Sequence, residues 1–124
     1  MCLVLRLLLN YEAMGQAAYQ DEAIRALNAL RAERGNPPMS QNPALMEAAM
    51  VQAQRMAAAG HSFHSENPPG CESVGRVPYF WPAHVLGENL AYHVTQFIAD
   101  GHRVNVGIAV VRSGSNLFAV MIGN

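Results

Sequence analysis

The sequence predicts an α+β domain in which helices cover a C-terminal antiparallel hairpin. Three observations carry this. Apolar residues recur at helical spacing through most of 21–59; the pattern then changes to two nearly unbroken apolar runs at 104–111 and 117–122; and no composition break divides the 124 residues, a length that holds one core.

Taken in order, the first run, 1–9, is apolar but interrupted by Arg6 and falls well short of the roughly 20 residues that span a bilayer. It reads as a poor secretory leader, with 13–18 as a weak cleavage zone, or as an amphipathic helix packing on the domain, so 1–18 is set apart from a single domain at 19–124. Asp21 is a helix-capping residue ahead of Ile24, Leu27 and Leu30, and Gly35 with Asn36-Pro37-Pro38 ends that helix. Asn42-Pro43 starts a second helix, in which Leu45, Met46, Ala49, Met50, Ala53 and Ala57 share faces up to Gly60. Methionines 46, 50 and 56 read as core filling. The segment 61–86 is rich in Pro, Gly, His and aromatics and reads as an ordered loop region without long elements. A short helix is expected at 91–100, stopped by Gly101. The two final runs, joined by Ser113-Gly114-Ser115-Asn116, read as a hairpin buried on both faces.

Composition excludes several functions. With 51% hydrophobic and 14% charged residues, the chain has ample apolar surface to offset its conformational entropy and is not disordered. Eight scattered arginines, no lysine and a net charge of −1 give no basic face for nucleic-acid phosphates. Two cysteines, Cys2 and Cys71, make no disulfide framework. There is no G-x-S-x-G, no phosphate-cradling glycine loop and no C-x-x-C, and His61 and His64 lack the glutamate and the i,i+4 spacing of a zincin. A Cys71 nucleophile is weighed and set below a structural role. The candidate polar groups are His61, His64, His84, Glu88, Asn89, His93 and His102, while Tyr79, Phe80 and Trp81 would line an apolar groove or join the core.

Short signatures in series carry a family resemblance. Leu27-Asn28 with Arg31 and Gly35, Pro37-Pro38-Met39 with Pro43-Ala44-Leu45, Ala53 with Met56 and Gly60, His64-Ser65, Gly87-Glu88-Asn89-Leu90-Ala91-Tyr92, and Gly101-His102-Arg103 with Asn105 stand in one order. In that order the chain resembles the CAP superfamily of cysteine-rich secretory, antigen 5 and pathogenesis-related 1 proteins, most of all its compact bacterial SCP-like extracellular members, over about 19–124.

The resemblance implies a three-layer α-β-α sandwich around a central antiparallel sheet, and a cleft that carries two histidines and two acids. By motif these fall on His64, Glu88 and His102, with Asn89 beside them, and His64 and His102 would be the ligands of a divalent metal such as Zn2+. The family's second acid belongs between the Gly-Glu-Asn motif and the second histidine, where Asp100 is the sole acid. A straight helix over 90–100 would hold Glu88 and His102 roughly 20 Å apart at 1.5 Å per residue, so convergence needs the segment to turn back. The function expected first is a non-catalytic, secreted or surface-associated domain whose cleft takes a metal ion, a lipid or small apolar ligand, or a cell-envelope component. The second reading is a zinc-dependent hydrolase with His64 and His102 as ligands and Glu88 as general base. The third is a trimmed family member that keeps the fold and has lost the site.

Overall fold

The computed structural model describes residues 10–124. The apolar run 1–9 and Cys2 lie outside the described residues. In chain order the elements are α1 (Tyr11–Met14), α2 (Gln16–Glu33), β1 (Ser40–Gln41), α3 (Pro43–Ala59), β2 (Cys71–Pro78), α4 (Ala83–His93), α5 (Gln96–Ala99), β3 (Asn105–Ser113) and β4 (Asn116–Gly123). The sheet order is β1-β3-β4-β2; β2, β4 and β3 run antiparallel, and the two-residue β1 adds to β3 in parallel.

Residue alternation along the strands builds the layers. Val106, Ile108 and Val110 of β3 and Leu117, Ala119 and Met121 of β4 bury on one face with α2, α4 and α5. Their neighbours Ala109, Phe118, Val120 and Ile122 bury on the other face with α3. A strand buried on both sides is nearly continuous apolar sequence, which is the pattern of 104–111 and 117–122. The domain is thus the α-β-α sandwich expected. Gly114, with φ +60°, turns the hairpin between paired Ser113 and Asn116, a two-residue connection with Gly at its first central position.

Two glycines set the layer spacing. A Cβ on Gly87 would sit 2.2 Å from the Ala23 carbonyl oxygen, and one on Gly107 would sit 2.2 Å from the Leu45 carbonyl carbon. The first lets α4 cross closely over α2, and the second lets the start of α3 lie directly on β3. Helix α3 has the expected ends: the Asn42 side chain accepts from the Leu45 amide, Pro43 is the first helical residue, and Gly60 caps in the left-handed conformation.

Other expectations need correction. Helix α2 begins at Gln16 rather than behind Asp21, because Tyr19 and Gln20 are already buried; the Asp21 carboxylate instead accepts from the Gln41 side chain. Tyr11 and Met14 pack on the core, and Gln16 Nε2 and Gln20 Oε1 bond the Val110 carbonyl (2.6 Å) and amide (2.9 Å), covering backbone that β1 is too short to reach. The supposed loop 61–86 contains the eight-residue strand β2 and the start of α4. The helix expected at 91–100 is two pieces: α4 ends at His93, and α5 follows a break at Val94-Thr95. Among the described residues no helix is long and apolar enough to cross a membrane.

Candidate functional site

Strand β2 presents Ser73 to one face and Glu72 to the other. Ser73 Oγ donates to the Leu90 carbonyl of α4 (2.7 Å), so Glu72 faces the α3 side, where the segment after Gly60 runs back alongside β2. Side chains hold that segment. Arg76 Nη1 donates to the Gly60 carbonyl (3.4 Å), Gln52 Nε2 of α3 donates to the Phe63 carbonyl (2.7 Å), and the Ser65 amide donates to Glu72 Oε1 (2.8 Å).

The Glu72 carboxylate is the centre of this arrangement. Its side chain is 2% exposed, and His64 Nδ1 lies 2.9 Å from Oε1 while the Ser65 hydroxyl donates to Oε2. A carboxylate accepts hydrogen bonds, so the proton of the pair is assigned to His64 Nδ1, which turns Nε2 outward. The His64 side chain is 63% exposed. The chemistry available is therefore an imidazole of fixed orientation whose outer nitrogen accepts a ligand's hydrogen bond or a proton. It is not a serine-histidine-acid relay, because there the serine hydroxyl faces the imidazole nitrogen that the acid does not hold. Ser65 shares the acid instead.

The two histidine motifs lie at one end of the sheet. Cys71 and Val106 flank Gly123 in register, so the starts of β2 and β3 are about 10 Å apart, two strand spacings. His102 is exposed, and its amide donates to Asp100 Oδ1 (2.9 Å). Asp100 Oδ2 accepts from Arg103 Nε (3.1 Å), and Arg103 Nη1 reaches the Gly123 carbonyl (2.9 Å). The His102 amide, opposed by desolvation and helped by Arg103, holds the Asp100 carboxyl below the usual carboxylate range. The Cys71 thiol donates to the same Gly123 carbonyl (3.4 Å); burial pushes its pKa up while Arg103 pulls it down, which does not favour a thiolate nucleophile.

The buried Arg31 of α2 supports this end from beneath. Its Nε donates to the Pro37 carbonyl (2.8 Å), Nη1 to those of Phe97 (2.6 Å) and Asp100 (3.1 Å), and Nη2 to that of Arg103 (2.9 Å). One planar guanidinium thereby fixes the turn that carries His102. Burial pushes Arg31 below its ordinary pKa, and Asp100 pulls it back.

Glu88 and Asn89 are half-buried on α4, the helix across the sheet from the Glu72 carboxylate. Among the described residues no hydrogen bond joins the side chains of His64, Glu88, Asn89 and His102 to one another. His93 Nδ1 donates to the Asn89 carbonyl one turn back (2.7 Å), His61 packs on Phe63 with ring centres 5.2 Å apart, and His84 is exposed on the first turn of α4. Among the described residues, no three His, Cys, Asp or Glu side chains are gathered to hold a metal ion. A zinc centre made by His64, His102 and Glu88 does not fit this donor arrangement. Sequence reasoning missed Glu72 because its inward direction depends on strand parity, and Cys71–Pro78 was read as loop.

The family model for the cysteine-rich secretory protein family (CAP) matches residues 24–122. Among solved structures, an outer surface protein from Borrelia burgdorferi is similar at 11% identity and a TM-score of 0.64, covering 86% of this chain and 92% of that one. A crystal structure of NaASP2 with Zn2+ is similar at 10% identity and a TM-score of 0.63, covering 86% and 78%. An SCP-domain extracellular protein from Bacillus anthracis shares 9% identity with a TM-score of 0.61, covering 90% of this chain and 43% of its own length. No curated protein matches the chain significantly in sequence.

Proposed function

The chain belongs to the cysteine-rich secretory protein family, and from that premise we propose that it is a non-catalytic domain working outside the cell or on its surface. Its ligand is a small apolar molecule or a cell-envelope component, met at the end of the sheet where His64 stands. The observation that supports this is the use made of Glu72: one buried carboxylate orders both the His64 ring and the Ser65 backbone and hydroxyl. That leaves an oriented imidazole without an activated nucleophile, which suits recognition better than bond cleavage. Extracellular placement rests on the family and on relatives described as an extracellular protein and an outer surface protein.

The hydrolase reading has less support, since Glu88 stands on the opposite side of the sheet from the His64–Glu72 pair. The test follows the His64 side-chain resonances by NMR during titration with palmitate and, separately, with peptidoglycan fragments, alongside a p-nitrophenyl ester assay. The proposal expects saturable shifts at His64 with one of these probes, loss of binding in His64→Ala, and no ester hydrolysis above buffer. Zinc-dependent hydrolysis that falls in Glu88→Gln would transfer the assignment to the hydrolase. An unresponsive His64 with both probes would favour the trimmed family member without a working site.

A further inference from the structure

We propose that the ligand met at His64 is an acidic sugar, a saccharide unit that carries an anionic group beside a free hydroxyl, and that Arg55 and Arg76 supply the charge that selects it. The inference rests on the reading of His64 as a recognition site and names the class of its ligand. Residues 60–64 run antiparallel to β2. Arg76 Nη1 donates to the Gly60 carbonyl at one end (3.4 Å), and His64 Nδ1 meets Glu72 at the other (2.9 Å). The two contacts are four strand residues apart, about 13 Å. Phe63 lies between them along the segment. Its ring is 5.8 Å from the Arg55 guanidinium and 5.2 Å from the His61 ring. Its carbonyl is held by the buried Gln52, whose Oε1 accepts from Arg55 Nη1 (3.5 Å).

Charge along this segment is unbalanced. Arg25, Arg103 and Arg112 pair with acids elsewhere, and the acid that stands here, Glu72, is buried and held by His64 and Ser65. Arg55 and Arg76 are exposed, and among the described residues neither meets a carboxylate. Glu47 lies two turns back along α3 from Arg55, and the exposed Glu66 follows Ser65 without pairing to either arginine. A guanidinium matches a carboxylate or a phosphate with paired N–H donors. A bare anion fails the other half of the site. With the Nδ1 proton committed to Glu72, His64 Nε2 offers a lone pair and needs an O–H donor. A sugar bearing a carboxylate or a phosphate presents both groups. The exposed His61 ring, set against Phe63, adds an apolar body on which the C–H face of that sugar can rest. An acidic peptide is a poorer occupant, because Glu72 is 6% exposed and leaves β2 no continuous open edge for an extended chain to join.

The test titrates the full chain with N-acetylmuramic acid, glucose phosphate, N-acetylglucosamine and inorganic phosphate, following the His64 ring and Arg55 Nε resonances by NMR. At least one of the two acidic sugars should shift both residues and bind about tenfold more tightly than N-acetylglucosamine, as one charge-assisted hydrogen bond requires. N-acetylglucosamine is the muramic ring without its lactyl carboxylate, and the response to glucose phosphate separates a phosphate source from a carboxylate one. Arg55→Gln should remove the advantage of the acidic sugar. Arg34→Gln, which alters an exposed arginine without a carboxylate partner at the end of α2, should bind as the wild type does. Equal binding of the neutral sugar would overturn the proposal, as would equal binding of inorganic phosphate, which would mean an adventitious ion only. Saturable shifts at His64 with palmitate and with none of the sugars would overturn it and leave the recognition reading standing. A His64 ring silent to every probe would overturn both. Binding of acetyl-Ser-Asp amide as tight as that of the acidic sugars would overturn it in favour of an acidic peptide.

Discussion

Replacing Arg31 with methionine is the perturbation whose cost follows most directly from the geometry. Methionine approximates the volume of the side chain, so the substitution removes the four hydrogen bonds and the charge while leaving the space filled. Hydrogen bonds from charged donors contribute about 1.5–3 kcal/mol each, which gives a gross upper bound near 6–12 kcal/mol for four. Two effects reduce it. The Pro37, Asp100 and Arg103 carbonyls are only partly buried, so water replaces the guanidinium there, and methionine avoids the desolvation cost of a buried cation. The Phe97 carbonyl is buried and keeps the full penalty. The expected net loss is about 3–5 kcal/mol, in the range for breaking a buried charged network. At about 3–4 °C per kcal/mol for a domain of this size, Tm should fall by about 9–20 °C. Calorimetry with parallel urea unfolding measures it. Arg31→Lys should recover only part of the loss, because one ammonium cannot reach four carbonyls spread around the edge of a planar guanidinium. Amide exchange at 97–103 should accelerate in both variants. A loss below about 1 kcal/mol for Arg31→Met would mean that those carbonyls find other donors and that Arg31 does not hold the His102 turn.

Three further outcomes follow from particular contacts. Gly87→Ala should cost about 2–3 kcal/mol by forcing α4 away from the Ala23 carbonyl, visible as a lower urea midpoint at unchanged slope. Gln20→Leu should cost about 1–2 kcal/mol by leaving the buried Val110 amide without its acceptor, measured by the same titration. The Asp100 carboxyl is depressed in the folded state, so its stabilising effect is present above its unfolded pKa and is lost as pH falls through the lower folded value. Asp100→Asn should therefore flatten the acid limb of Tm against pH below the ordinary carboxylate range and leave the neutral region's slope unchanged.

What was legible in the sequence divides along physical lines. Helix α3 was readable because its ends are written in local chemistry, Asn42 and Pro43 at one and Gly60 at the other. The hairpin was readable because strands buried on both faces leave an apolar run. Strand β2 was not, since it lies at the sheet edge and mixes Glu72, Ser73, Gly75, Arg76 and Pro78, a composition typical of loops. Missing β2 hid Glu72, whose importance depends only on the face to which its position in the strand assigns it. Helix α4 was placed late because Pro82 to Leu86 lie in the segment that reads as loop, and Gly87 is needed for a tertiary crossing that no local pattern announces. The Gly-Glu-Asn-Leu string at 87–90 carried the family resemblance correctly, but it lies on the helix opposite the carboxylate that His64 meets. The break at Val94-Thr95 divides α4 from α5, so 90–100 is not the straight helix that would hold Glu88 and His102 roughly 20 Å apart.

The most direct measurement is side-chain 15N NMR of the histidines in the wild type and in Glu72→Gln, with Tm recorded for both. If Glu72 holds the His64 ring, the wild-type spectrum will show the proton of that ring fixed on Nδ1 and Nε2 free, and Glu72→Gln will return His64 to the averaged signals of an unrestrained imidazole while the other four histidines keep theirs. A His64 ring already averaged in the wild type, or unchanged in Glu72→Gln, would contradict the recognition site built on the His64–Glu72 pair.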